Sequence, residues 1–313
     1  IENLKGRRDN IVEIAERYYD YYAKLAIVTG TDKDDFIDVT RMPEGKTKVT
    51  IYRNKKGKRA DIVSDFVYDK QFTKDIWIYA LDDDDIITVD GEGDQLIYVR
   101  IIGGQNNDIY RIRNKKKLKI YDHKSKPNTI EEGADARFRF TDQYDLNIYD
   151  KDKKVFKSTS ITPGIGYNPD DGLKLGFKAL YTINDFKRNP YTSQHELKAG
   201  FYFATDGFDL NYKARFATII GDYNLQVGAH FTSPNFARNF FGYGNETRNP
   251  DDELTLDYNR VKISRVGGDV GLVNETPFGS YFSYKASFET VEIDNIQGRF
   301  IDEFTPEDPE GFF

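Results

Sequence analysis

The stretch FDLNYKARF, residues 208–216, alternates with a period of two. Phe208, Leu210, Tyr212, Ala214 and Phe216 fall on one side, and Asp209, Asn211, Lys213 and Arg215 on the other. Successive side chains of a strand point to opposite faces, so this is a ribbon with one apolar and one charged face. The pattern recurs along the C-terminal half. GLKLGFKALYT (172–182) sets Leu173, Leu175, Phe177, Ala179 and Tyr181 against Lys174 and Lys178. HELKAGFYF (195–203) sets His195, Leu197, Ala199, Phe201 and Phe203 against Glu196, Lys198 and Gly200. YNLQVGAHF (223–231) and YFSYKASFETV (281–291) repeat it, and two further strands are predicted over 258–273.

Each run covers about nine to eleven residues, the length that crosses a bilayer at a barrel tilt. Strands of soluble proteins are usually nearer ~5–6. Aromatic residues stand near the strand ends (Tyr181, Phe203, Phe208, Phe216, Tyr223, Phe231), where interfacial girdles belong. Connections alternate between tight, TDG at 205–207, and long, over 232–254. From about residue 159 the chain therefore reads as antiparallel transmembrane strands. The expected lipid-facing set is Leu175, Phe177, Leu197, Phe201, Phe203, Leu210, Tyr212, Leu225 and Val227. Lys174, Lys178, Glu196, Lys198, Lys213 and Arg215 are expected to face a wet lumen. The alternative is a soluble two-sheet sandwich.

Composition narrows the function classes. Acidic residues outnumber basic ones, 52 to 45, for a net charge of -7, which argues against a nucleic-acid partner. Cysteine is absent, so neither disulfides nor thiolate sites can form. No run approaches the ~18 apolar residues of a membrane helix, which leaves membrane strands open because they are only half apolar. The N-terminus IENLKGRRDN lacks a signal-peptide core, and the chain reads as the middle of something longer. FIDEFTPEDPEGFF, at the other end, reads as an exposed loop or an arbitrary stop.

Upstream, Ile11, Ile14, Ala15, Tyr18, Tyr22 and Leu25 recur at helical spacing and predict a packing helix over 8–29, with Gly30 just past its end. Residues 36–79 read as strands packed on that helix. The most unusual stretch is 80–112, where ALDDDDIITV and GGQNNDIYRI superpose without a gap at an offset of 23. The second piece is similar to the calcium-binding nonapeptide of parallel β-rolls, with Asn106 in place of a glycine. Closely spaced carboxylate and amide oxygens suit a hard cation. Asp82, Asp84, Asp85, Asn106 and Asp108 form the candidate calcium set. The alternative is a pair of strand-ending turns with solvated carboxylates. Residues 113–157 read as a basic-then-acidic connector, and His123, His195 and His230 are isolated, as surface or lumen residues would be.

The predicted fold is mostly β, in four parts. An amphipathic helix (1–30) leads into a β-rich connector with β-roll-like turns (31–135). A linker (136–158) follows, and then the N-terminal part of a barrel (159–313), incomplete by itself.

GIGYNPDDGLKLGF (164–177), FKRNPYTSQHELKAGFYFATDGF (186–208) and NFFGYGNETRN (239–249) resemble the start of the barrel in the bacterial surface-antigen superfamily. LKGRRDNIVEIAERYYDYY, WIYALDDDDIITVDGEG and YVRIIGGQNNDIYRI resemble the segment that joins a calcineurin-like metallophosphoesterase to such a barrel in one subgroup. The resemblance implies an outer-membrane protein of a Gram-negative envelope, with residues 1–158 in the periplasm. Its partners would be lipid, the rest of the barrel from the same polypeptide, and other envelope proteins. Three functions follow. One is envelope biogenesis or transport of protein or lipid. Another is to anchor and connect an envelope metallophosphoesterase whose catalytic domain lies upstream, in which case this chain is not itself an enzyme. The last, which rests on the 80–110 region and not on the resemblance, is a soluble calcium-binding β module.

Overall fold

The computed structural model describes residues 2–242, 253–255, 257–275, 279–294 and 296–303. The chain divides into two units, Ile1–Asp152 and Lys153–Phe313. The motif at 239–249, the long connection at 232–254 and the acidic end 300–313 fall partly outside the described residues.

The first unit opens with helices α1 (Glu2–Asp9) and α2 (Ile11–Tyr22). Strands β1 (Leu25–Thr29), β2 (Asp35–Arg41), β3 (Lys46–Lys55), β4 (Lys58–Asp69), β5 (Asp75–Tyr79) and β6 (Ile86–Asp90) follow. The unit ends with β7 (Tyr98–Ile102), β8 (Ile109–Ile112), β9 (Leu118–Asp122), β10 (Thr129–Glu132), β11 (Phe138–Phe140) and the short α3 (Tyr144–Asn147). Two sheets form, in the orders β1-β5-β7-β9-β11 and β10-β8-β6-β2-β3-β4. The first is parallel throughout. In the second, β10, β8, β6 and β2 are parallel, and β3 and β4 are added as an antiparallel hairpin. Outside that hairpin, successive strands alternate between the sheets, so the chain winds as a two-sheeted parallel coil.

Short strands dictate this. Five-residue strands such as DIWIY and YVRII cannot enclose a core singly, and stacking the coils buries their inward residues together. Ile37, Val49, Ile78, Ile87, Val99, Ile101, Tyr110 and Ile120 make that core. Arg41 is buried at its rim, where its guanidinium donates to the carbonyl of Ile97 at 2.9 Å.

Several expectations for this unit are corrected. The single packing helix over 8–29 is instead two helices and a strand. LAIVT, rich in β-branched and aliphatic residues, pairs with β5 rather than continuing the helix. None of α2 is buried, so it does not serve as a packing platform. Gly30 is a coil turn instead of a helix end: its N–H donates to the carbonyl of Tyr79 at 2.7 Å. The stretch 113–157 is no mere connector, since β9, β10 and β11 within it complete the last coils. β11 and α3 likewise fall within the predicted linker, and β12 begins at Phe156.

The second unit is one antiparallel sheet. Its strands are β12 (Phe156–Asn168), β13 (Gly172–Asn184), β14 (Ser193–Tyr202), β15 (Gly207–Ile220), β16 (Tyr223–Asn239), β17 (Arg260–Glu275) and β18 (Tyr281–Asp294), followed by α4 (Phe300–Glu303). They pair in chain order, and among the described residues β12 and β18 are its edges. The strands run 10 to 17 residues; β14 keeps the predicted nine to eleven and the others exceed it. β16 extends into what reads as a loop. A register shift between Thr232 and Phe236 absorbs Pro234, which cannot donate to a ladder. Beyond the shift, Phe236 packs with Val261 and Ile263, which holds the extension in the sheet. The two strands predicted over 258–273 are the single β17.

Candidate functional site

Register decides which side chains share a face of the seven-stranded sheet. Lys178 lies opposite Lys198, which lies opposite Asn211, which lies opposite His230. Lys174, Glu196, Lys213 and Arg215 stand on this same polar face, as the alternation predicts. Their charges are mutually placed. Lys174 reaches Asp209 at 3.0 Å and donates to the Tyr202 hydroxyl at 2.6 Å. Glu196 is shared by Lys178 at 2.8 Å and Lys198 at 2.9 Å. Arg215 pairs with Glu275 at 2.8 Å, and Lys285 with Asp269 at 3.2 Å.

Glycines thin this face. Gly164, Gly176 and Gly200 are cross-strand neighbours on β12, β13 and β14, and Asp209 continues their row on β15. With no side chains there, the surface sinks into a trough flanked by Lys174, Lys178, Lys198 and Lys213.

The opposite face is apolar and bare. Leu175, Phe201 and Phe208 are aligned across β13, β14 and β15, as are Leu197 and Tyr212. Leu175 is 46% exposed, Phe201 40% and Leu210 41%; towards the edges Ile165 reaches 75% and Phe288 70%. Phe177, Leu197 and Phe203 are also exposed, whereas Tyr212, Leu225 and Val227 are half-buried by their neighbours on the same face. Near the strand ends Phe208 and Phe231 lie 5.5 Å apart, ring to ring.

In the first unit, the repeat in 80–112 is a ladder of buried carboxylates. Asp35, Asp85, Asp108 and Asn128 each stand at the start of a strand of the second sheet. The Asp35 N–H donates to Asp85 Oδ1 at 2.7 Å, and the Asp85 N–H to Asp108 Oδ1 at 3.0 Å. The Asp108 N–H donates to Asn128 Oδ1 at 2.9 Å. Each side chain thus satisfies the backbone donor of the preceding coil. Beside the ladder, the Tyr110 hydroxyl donates to Asp122 Oδ2 at 2.6 Å. Asp85 Oδ2 is buried without a hydrogen-bond partner.

Burial sets the protonation of the column. Loss of water, reinforced by the nearby Asp108 charge, pushes Asp85 up to about 10. Burial, with Asp122 next to it, raises Asp108 above the carboxylate range. Burial raises Asp122 against the opposing hydrogen bond from Tyr110. A proton on Asp85 at neutral pH removes the cost of an isolated buried anion.

The candidate calcium set divides between two places. Asp85 and Asp108 are buried in the ladder, while Asp82 and Asp84 are exposed on the turn and Asn106 is partly exposed. The Asn106 amide nitrogen donates to Asp82 Oδ1 at 3.1 Å, and the Asn107 N–H donates to Asp84 Oδ1 at 3.1 Å. These donors take one oxygen of each of the two exposed carboxylates. Among the described residues, no three His, Asp or Glu side chains are arranged to hold a metal ion. Left-handed backbone in these turns falls on Leu81, Asp83 and Gly104 and not on Asn106.

Asp35, Asp122 and Asn128 are not among the residues singled out from the sequence. TGTDKDDFI at 29–37 carries the same signal as 79–87, yet the β3–β4 hairpin separates the two copies by 50 positions. The histidines stand apart as expected. His195 Nδ1 lies 2.7 Å from the Tyr212 hydroxyl, His230 Nε2 lies 3.5 Å from Glu289, and His123 Nδ1 lies 3.6 Å from Asp142.

No family model, no curated protein and no solved structure matches this chain.

Proposed function

We propose that the seven-stranded sheet is wall of an outer-membrane β-barrel of the surface-antigen type, serving envelope assembly or the transport of protein or lipid. The observation that carries this reading is the bare apolar face backed by an ion-paired polar face. Apolar surface of this extent marks a region that meets another apolar phase, and lipid is the phase that suits strands this long. The polar face then borders a lumen, where its ion pairs are wet. Backbone edges are not tolerated in hydrocarbon, so β12 and β18 would pair with strands from the rest of the polypeptide. The parallel coil of the first unit belongs on the periplasmic side.

The test uses the absence of native cysteine. Single cysteines at Leu210 and Lys213 carry an environment-sensitive label in protein folded into phosphatidylcholine vesicles. A lipid-soluble quencher should reach the first label and not the second, and folded protein should migrate differently before and after boiling in detergent. Equal quenching at both positions, in a chain soluble in plain buffer, would sink the reading.

A further inference from the structure

The glycine-floored trough carries more positive charge than its own carboxylates neutralise. Lys178 and Lys198 face each other across β13 and β14, and like charges in that arrangement destabilise a sheet. Glu196 bridges both. Lys213 lies opposite Glu196 on β15 and forms no ion pair among the described residues. One carboxylate therefore serves two ammonium groups and leaves a third beside it unpaired. Lys174 and Asp209 close the trough as a matched pair.

The floor is as unusual as the rim. Gly164 and Gly176 leave two adjacent strands without side chains, so a ligand can lie against the backbone beside the lysines, while the Lys174 side chain and the Asp209 carboxylate cover Gly200. The hollow measures about 610 Å³, ample for a phosphate-bearing group. Local rules broken together at one place are the signature of a site that trades stability for binding.

We propose that this trough binds a phosphate-type anion, with Lys178, Lys198 and Lys213 as its direct ligands. Three mobile ammonium groups suit a tetrahedral dianion, which they meet as point charges. The inference rests on the polar face being a lumen only in locating the trough inside a barrel; the binding chemistry is independent of it.

The experiment titrates the full chain, folded in a zwitterionic detergent, with inorganic pyrophosphate and separately with dihexanoyl phosphatidic acid, by calorimetry. Saturable binding of either probe is expected. Binding of pyrophosphate identifies a free phosphate compound as the source, and binding of the lipid alone identifies a headgroup. Lys198→Gln and Lys213→Gln should each weaken binding about tenfold, the worth of one charge-assisted hydrogen bond. Lys213→Arg should restore most of it, and Lys285→Gln, on the same face but outside the trough, should change nothing. No saturable binding of either probe, or an equal loss in Lys285→Gln, would overturn the proposal. The same samples run unboiled and boiled separate the two readings. A heat-modifiable band without binding defeats the trough alone, and binding without that band defeats the barrel and leaves the trough standing.

Discussion

The backbone N–H of Asp85 donates to the side chain of Asp108 at 3.0 Å, joining two coils across 23 positions of sequence. The same link runs from Asp35 to Asp85 and from Asp108 to Asn128. A column of side chains thus does between coils what backbone ladders do within sheets. It also holds three aspartates where water cannot reach them.

Removing one rung should unfold more than a surface change would. Asp108→Ala leaves the buried Asp85 N–H without an acceptor, which costs about 1–3 kcal/mol. Asp108→Asn keeps an oxygen in the same place, as Asn128 does one coil on, and should cost clearly less. Trp77, the only tryptophan, is buried in this unit and reports its urea unfolding directly.

The buried acids give stability a direction with pH. In the folded chain Asp85 holds its proton to about 10, while an unfolded aspartate loses it near ~3.9. The folded state therefore binds more protons between those values, and stability falls as pH rises. The contribution is whole below the unfolded value and gone above the folded one. The urea midpoint of the Trp77 signal should drop between about pH 5 and about pH 9. Asp85→Asn, which cannot ionise, should flatten that slope. A midpoint that rises over this range would contradict a protonated Asp85.

Glycine at 104 is required by two constraints at once. Its φ is +119°, a region other residues avoid, and a Cβ there would run into the carbonyl of Leu81. At neighbouring Gly103 a Cβ would strike the Asp108, Tyr110 and Asp122 oxygens. Gly104→Ala should cost about 1–3 kcal/mol in the Trp77 unfolding assay. Gly57→Ala, in the open β3–β4 turn, has nothing within 4 Å to strike and should cost less.

The two faces of the second unit should respond oppositely to substitution. Phe201→Arg and Leu210→Arg place a charge on the apolar face and should each cost roughly 2–4 kcal/mol in vesicles. Lys213→Gln removes an unbridged charge from the polar face and should be mild for folding. The fraction of fast-migrating folded band across a urea series measures both. Equal tolerance at both sets would contradict a lipid-facing assignment.

The sheet of the second unit is legible in the sequence because strand alternation is a local property. Leu175, Phe201 and Leu210 against Lys174, Lys198 and Lys213 needs only a period of two. The 80–112 repeat is legible for a similar reason, as two copies of one turn in close succession. Its chemistry is not legible there. Asp82, Asp84 and Asp85 stand within four positions of sequence, yet one is sealed in the core and two face water, because Asp85 leads directly into β6 while the others lie on the turn before it.

What the amino-acid order determined by itself was periodicity: which residues can share a face, and where coils repeat. Only the tertiary structure decided partnership. LAIVT became β1 because β5 offered it a parallel edge, outweighing the helical spacing before it. Asp35 joined the acidic column through a hairpin excursion that hides the repeat, and Glu196 came to serve its lysines through cross-strand register. Propensity and pattern act over a few residues, whereas burial and hydrogen bonding are settled by whichever distant segment arrives alongside.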